Sequence, residues 1–148
     1  MLVYIVFVFV QSITAFQLTN RSIEESVQIV HIDAVKMDYS IKQFSVKSGG
    51  LVEIHFSNKD VIRHNLLIIA PGSLEKVGKM ADLMATTPDG VKKEWVPETP
   101  EVLFYTPLVS VGDKYILKFT APVKKGKYPF VCTFPTHWRM MNGEMIVE

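Results

Sequence analysis

The dominant periodicity along the chain is two. From Leu51 to Ser57, Val52, Ile54 and Phe56 alternate with Glu53 and His55, the pattern of a strand with one buried and one wet face. Lys114 to Thr120 alternates in the same way. Val27 to Ile32, Phe44 to Val46, Leu66 to Ala70, Val102 to Tyr105, Tyr128 to Cys132 and Glu144 to Val147 are further short β-rich stretches. Turn chemistry separates them: Lys47-Ser48-Gly49-Gly50, Asn58-Lys59-Asp60, Ala121-Pro122 with the basic run Lys124 to Lys127, and Gly143 before the last strand. One stretch has a helical period. Leu74, Val77, Met80 and Met84 recur behind Ser73, a candidate N-cap, and Glu75 complements the positive end of the dipole. That helix is expected to stop before Pro88-Asp89-Gly90, and the prolines between Val91 and Ser110 predict long connections. The pattern as a whole predicts an all-β fold, an antiparallel sandwich or barrel, with one short inserted helix.

Composition removes several function classes. The 148 residues suit one domain, and 48% hydrophobic with 11% aromatic residues argues against general disorder. Sixteen Lys and Arg against fifteen Asp and Glu leave a net charge of +1, without the basic bias of a nucleic-acid binder. The N-terminal run from Leu2 to Val10 is apolar, and no charged residue precedes Arg21. Its length suits the apolar region of an export signal, with Ser12 and Ala15 near a cleavage site, although no Lys or Arg precedes it. An uncleaved anchor is the competing reading, weakened by Gln11, Ser12, Thr14 and Gln17, and a β-rich start to the domain is a third. Residues 1–20 are therefore expected to be a signal peptide or membrane anchor, with residues 1–16 as a tether in the latter case. The globular domain is expected over 25–148.

A lone cysteine excludes an intramolecular disulfide and leaves Cys132 to be explained as a packed thiol, a nucleophile or a metal ligand. Its neighbourhood favours the third. Cys132, His137 and Met141 place a thiolate, an imidazole and a thioether in one loop between two expected strands, and His64 at another strand edge offers a second imidazole. Two imidazoles and a thiolate with a weak axial thioether suit copper electron transfer. Structural zinc would more usually recruit further Cys or His, and magnesium or calcium would require oxygen donors. Taken singly, each residue has a plainer reading: Cys132 as a small buried hydrophobe, His64 as a strand-end side chain and Met141 as core packing. His55 shares a polar strand face with Glu53 and reads as solvent-exposed, and His31 has no neighbouring donors in a recognised arrangement. The Lys124 to Lys127 run reads as a solvated hairpin turn.

The segments Arg63-His64-Asn65-Leu66 and Cys132-Thr-Phe-Pro-Thr-His137-Trp-Arg-Met-Met141-Asn-Gly resemble the two copper-binding segments of the azurin and auracyanin family of blue copper proteins, the cupredoxins. The similarity extends through Phe44-Ser-Val-Lys-Ser-Gly-Gly, Phe56-Ser-Asn-Lys-Asp and Phe119-Thr-Ala-Pro, covering roughly residues 25 to 148. The resemblance implies an eight-stranded Greek-key β-sandwich carrying one copper per chain, which cycles between Cu(II) and Cu(I). It implies His64, Cys132 and His137 as equatorial ligands and Met141 as the axial one, with spacing favouring Met141 over Met140. It also implies that Asn65 holds the loop by hydrogen bonding, with Thr133 as its partner. Phe134, Pro135 and Trp138 would surround His137 with an apolar face on which redox proteins dock. Two departures stand out. Thr136 replaces the glycine usual before the second histidine, and Arg63 precedes the first, where family members offer a backbone carbonyl. The disulfide of many azurins is impossible here.

The expected function is a one-electron carrier rather than an enzyme. Three other functions use the same residues. A Cys132–His137 nucleophile pair would leave Met141 idle and lacks obvious oxyanion donors. A copper delivery or storage module explains the ligands, although an enclosed thiolate site suits retention. An electron-input domain of a larger oxidoreductase would need its catalytic centre in another polypeptide. The leader and the thiolate–copper centre together place the protein in a periplasm or at a cell surface, free or membrane-anchored.

Overall fold

The computed structural model describes residues 26–148. The expected leader and tether lie outside the described residues. Among the described residues nine strands form two facing sheets: β1 (Gln28–Val35), β2 (Asp38–Tyr39), β4 (Leu51–Asn58) and β7 (Lys114–Thr120) in the order β2-β1-β4-β7, and β3 (Gln43–Val46), β5 (Leu67–Ile69), β6 (Val102–Tyr105), β8 (Gly126–Val131) and β9 (Asn142–Val147) in the order β3-β9-β8-β5-β6. The alternation in β4 is what builds the core. Val52, Ile54 and Phe56 face inward, and their register partners Phe119 and Leu117 on β7 and Val30 and Ile32 on β1 lie on the same side. Tyr128 and Phe130 of β8 and Met145 and Val147 of β9 close the core from the opposite sheet. In β1 the outward face carries Ile29 and His31, whereas Val30, Ile32 and Ala34 are buried.

Two pairings differ from the antiparallel expectation: β1 runs parallel to β4, and β3 runs parallel to β9. The cause is the crossover. After β2 the chain passes to the other sheet for β3 before returning as β4, so β1 and β4 become neighbours without a hairpin between them. A nine-strand count exceeds the expected eight by the two-residue β2, which is too short to leave a periodic signal.

The helix α1 spans Leu74–Met84 as its spacing predicts. Ser73 occupies the N-cap position, but its hydroxyl makes no capping hydrogen bond. The buried seam also differs from the expected one. It runs through Val77, Gly78 and Ala81, while Met80 and Met84 remain half-buried. A bulky neighbour selects these small residues: the ring of Trp138 lies so close to Gly78 that a Cβ there would collide with it. A second, four-residue helix, α2 (Asp89–Lys92), interrupts the connection that the sequence predicts to be irregular. No helix among the described residues is long and apolar enough to cross a membrane.

Candidate metal centre

Strand β8 ends at Val131, and Cys132 follows it into the connection to β9. This connection folds onto itself. The Cys132 N–H donates to the Met141 carbonyl at 3.0 Å, the His137 N–H to Phe134 at 3.0 Å, and the Met141 N–H to His137 at 2.9 Å. Residues 137–139 form one 3-10 turn, entered through Thr136 at φ 72°. That is left-handed backbone, which a β-branched residue adopts only under strain and which glycine adopts freely. His64 reaches the loop from the connection between β4 and β5. Its backbone pairs with Val109 in both directions, at 3.3 and 2.8 Å.

The structure brings three of the predicted donors together. Cys132 Sγ lies 3.7 Å from His64 Nδ1 and 3.6 Å from His137 Nδ1, and one donor atom from each residue lies within 4.8 Å of the others. Cys132 and His64 are fully buried and His137 is 3% exposed. Burial pushes the Cys132 thiol up to about 12, against backbone N–H groups of Asn65 and Phe134 that favour its thiolate. Burial also lowers the His64 imidazole and takes His137 down to about 4, where its neighbour His64 adds to the effect. Both rings are therefore neutral near pH 7 and have a lone pair to donate, while the thiol needs a cation beside it to ionise. A borderline-soft divalent metal supplies that cation, and one thiolate with two imidazoles is a donor set suited to copper. The same burial argues against Cys132 as a nucleophile, since an enclosed thiol near 12 presents little thiolate to a substrate.

Met141 is fully buried beside Cys132 in the core cluster, whereas Met140 is 58% exposed. Asn65 connects the two segments of the site by hydrogen bonds to Thr133. Its Oδ1 accepts the Thr133 N–H at 2.8 Å, and its Nδ2 donates to Thr133 Oγ1 at 3.0 Å. Phe134 packs on His137, ring centroids 4.9 Å apart. Trp138 instead points toward α1 and packs with Leu67, Val77 and Val131, 9% exposed. Away from the site, His55 is half-buried rather than solvent-exposed, hydrogen-bonded to Glu53 at 3.2 Å with His31 edge-on to its ring.

Four contacts escape the sequence reading. Glu94 and Trp95 are consecutive non-glycine residues with left-handed φ of 51° and 55°. This turn brings the Glu94 carbonyl to Asn65 Nδ2 at 3.1 Å and the Trp95 ring onto Phe134 at 5.0 Å. Tyr39 of β2 donates its hydroxyl to the Asn65 carbonyl at 2.8 Å. Asp60, read from sequence as a turn residue, is buried with Oδ2 3.1 Å from His64 Nε2. Burial alone would raise the Asp60 carboxyl, but N–H groups of Met37 and Val61 and the His64 ring hold it below its ordinary value. The i,i+4 spacing of Asp60 and His64 is visible in the sequence. Without a helix to give that spacing meaning, it carries no signal there.

A β-sandwich that encloses one cysteine between two neutral imidazoles defines the class of mononuclear type 1 copper electron carriers. A family profile described as copper binding proteins of the plastocyanin/azurin family matches residues 26–148. Azurin of Pseudomonas aeruginosa is 31% identical over 121 residues, 78% of this chain and 75% of its own length. Auracyanin-A of Chloroflexus aurantiacus is 26% identical over 107 residues, covering 72% and 64% of the two chains. The crystal structure of dithionite-reduced auracyanin from Roseiflexus castenholzii superposes with a TM-score of 0.71 at 26% identity, covering 82% of this chain and 97% of the other. The chain belongs to the plastocyanin/azurin family of copper-binding proteins. It is a blue copper protein of the azurin and auracyanin type, carrying one copper and single electrons rather than catalysing a reaction.

Proposed function

We propose that His64 and His137, each through Nδ1, and Cys132 through Sγ hold the copper in a trigonal set, with Met141 as the weak axial donor. The two Nδ1–Sγ separations of 3.7 and 3.6 Å carry this reading. Copper supplies the one-electron chemistry by alternating between Cu(II) and Cu(I). The chain's part is to keep the donors fixed and dry. The loop hydrogen bonds hold Cys132 and His137, the Val109 pairing holds His64, and Asn65 ties both segments together. Donors that need not move make each electron exchange cost little rearrangement.

Redox proteins dock on the side of the loop bearing Phe134 and Pro135, both half-buried, above the nearly enclosed His137. Trp138 packs against α1 and adds nothing to that face. A small apolar patch suits the weak, short-lived complexes that electron shuttling requires. The protein works outside the cytoplasm, exported or tethered through residues 1–16, as the apolar N-terminal run supports.

Titration of the purified domain with Cu(II) tests the site. The expected result is a one-to-one rise of an intense thiolate-to-copper visible band that a reductant bleaches reversibly. Met141→Leu should change the copper hyperfine splitting and the reduction potential, and Met140→Leu should leave both in place. A folded, reduced protein without the band contradicts the ligand set, and equal effects of the two methionine variants contradict the axial assignment.

A further inference from the structure

The two histidines are unequal. Among the described residues, the His137 ring has no hydrogen-bond partner beyond the Cys132 sulfur, whereas the His64 ring also meets a carboxylate through Nε2. Asp60 lies four residues before His64 and is 8% exposed. Its Oδ2 is 3.1 Å from His64 Nε2 and also accepts the Met37 N–H at 2.6 Å, while Oδ1 accepts the Val61 N–H at 2.7 Å. The Asp60 N–H donates to Asn58 Oδ1 at 3.0 Å. Asn58 Nδ2 in turn donates to the carbonyls of Ile62 and Val109, at 2.8 and 2.9 Å, and Val109 is the residue paired with the His64 backbone. The carboxylate and the histidine are thus fixed to one frame. No Lys or Arg among the described residues forms an ion pair with Asp60, and neighbouring Lys59 pairs with Asp33 instead.

We propose that Asp60 is a positioning residue of the copper centre, which selects the His64 tautomer carrying its proton on Nε2 and lowers the reduction potential by placing an uncompensated negative charge behind that ring. This inference rests on ligation by His64 Nδ1. A proton on Nε2 shared with Asp60 leaves the lone pair on Nδ1, the atom that faces the Cys132 sulfur at 3.7 Å. The charge adds to the basicity of the ring and favours the metal state with the larger positive charge. Cu(II) gains more from it than Cu(I), because Coulomb attraction scales with the charge and is weakly screened away from water.

Asp60→Asn separates the two effects, because its amide oxygen can still accept from Nε2 while the charge is gone. In the copper-free protein, long-range proton–nitrogen NMR reads the His64 tautomer directly. The wild type should show the proton on Nε2, Asp60→Asn should keep it there, and Asp60→Ala should give a mixture of tautomers. In the copper-loaded protein, Asp60→Asn should raise the potential by at least the equivalent of a tenfold change in the Cu(II)-to-Cu(I) affinity ratio, about 59 mV for one electron. Asp60→Glu should recover most of that shift. Should Asp60→Ala fail to fold, the Asn and Glu variants still decide the matter. A proton on Nδ1 in the wild type, or an unmoved potential in Asp60→Asn with a normal visible band, overturns the inference alone. Absence of the band in the wild type overturns the ligation reading and this inference with it.

Discussion

The site has two halves, and they are built differently. Residues 132–141 supply three of the four proposed ligands from one connection whose backbone bonds from Cys132 to Met141, His137 to Phe134 and Met141 to His137 close within its own ten residues. The half around His64 supplies one, and what holds it comes from far along the chain: Met37 and Tyr39 before it, Glu94, Val109 and Thr133 after it. The first half is a local structure that sequence spacing can specify. The second is a product of the fold, correct only when both sheets have come together. Asn65 is the main bridge between them.

Removing that bridge should therefore have the largest effect. Asn65→Ala leaves the buried Thr133 N–H without its acceptor, which costs about 1–3 kcal/mol. Urea unfolding of the copper-free protein should show the loss, and the visible band of the copper form should shift as the Cys132 surroundings loosen. An unfolding midpoint equal to wild type would mean that the halves are held by something else. Thr136→Gly acts on the local half alone. Releasing a β-branched residue from φ 72° should stabilise the chain by about 1 kcal/mol after the added freedom of the unfolded glycine is counted. A destabilised variant would show that the Thr136 side chain contributes more than its backbone costs.

Glu101 offers a contrast away from the site. The Lys76 ammonium on α1 and the Thr99 hydroxyl beside it hold its carboxyl at about 2, below the ordinary 4.5. A depressed carboxylate contributes stability that is present above 4.5 and fades as pH falls toward 2. Glu101→Gln should therefore lose a little stability at neutral pH and flatten the pH dependence across that window, with the copper spectrum untouched. A spectral change would mean that α1 transmits strain into the ligand loop through Trp138.

Legibility from sequence follows the same division. The alternation of Val52, Ile54 and Phe56 marked a strand, and the spacing of Cys132, His137 and Met141 marked the loop, because both signals are local and repeated or chemically rare. The parallel pairing of β1 with β4 left no trace, since strand direction depends on which sheet the intervening residues join. Asp60 resembled any turn aspartate until the fold buried it under an imidazole. The Glu94 contribution to Asn65 is a backbone carbonyl, an atom that every residue possesses, so no choice of side chain advertises it. The α1 seam departs from its sequence periodicity for a related reason. Its small residues matter through the Trp138 ring that fills their space, not through their own hydrophobicity.

The place of β9 bears on when the copper site comes into being. This strand lies between β3 and β8, and its residues are among the last described in the chain. Strand β3 must find its parallel neighbour about a hundred residues further along the chain, a non-local pairing that forms slowly. Until that pairing forms β8 lacks one flank, the Cys132 N–H lacks the Met141 carbonyl, and the cysteine is an open thiol on an incompletely folded polypeptide. Enclosure of the thiol thus waits on the pairing of β9 with β8, and any oxidation of Cys132 is a hazard of the interval before that sheet closes.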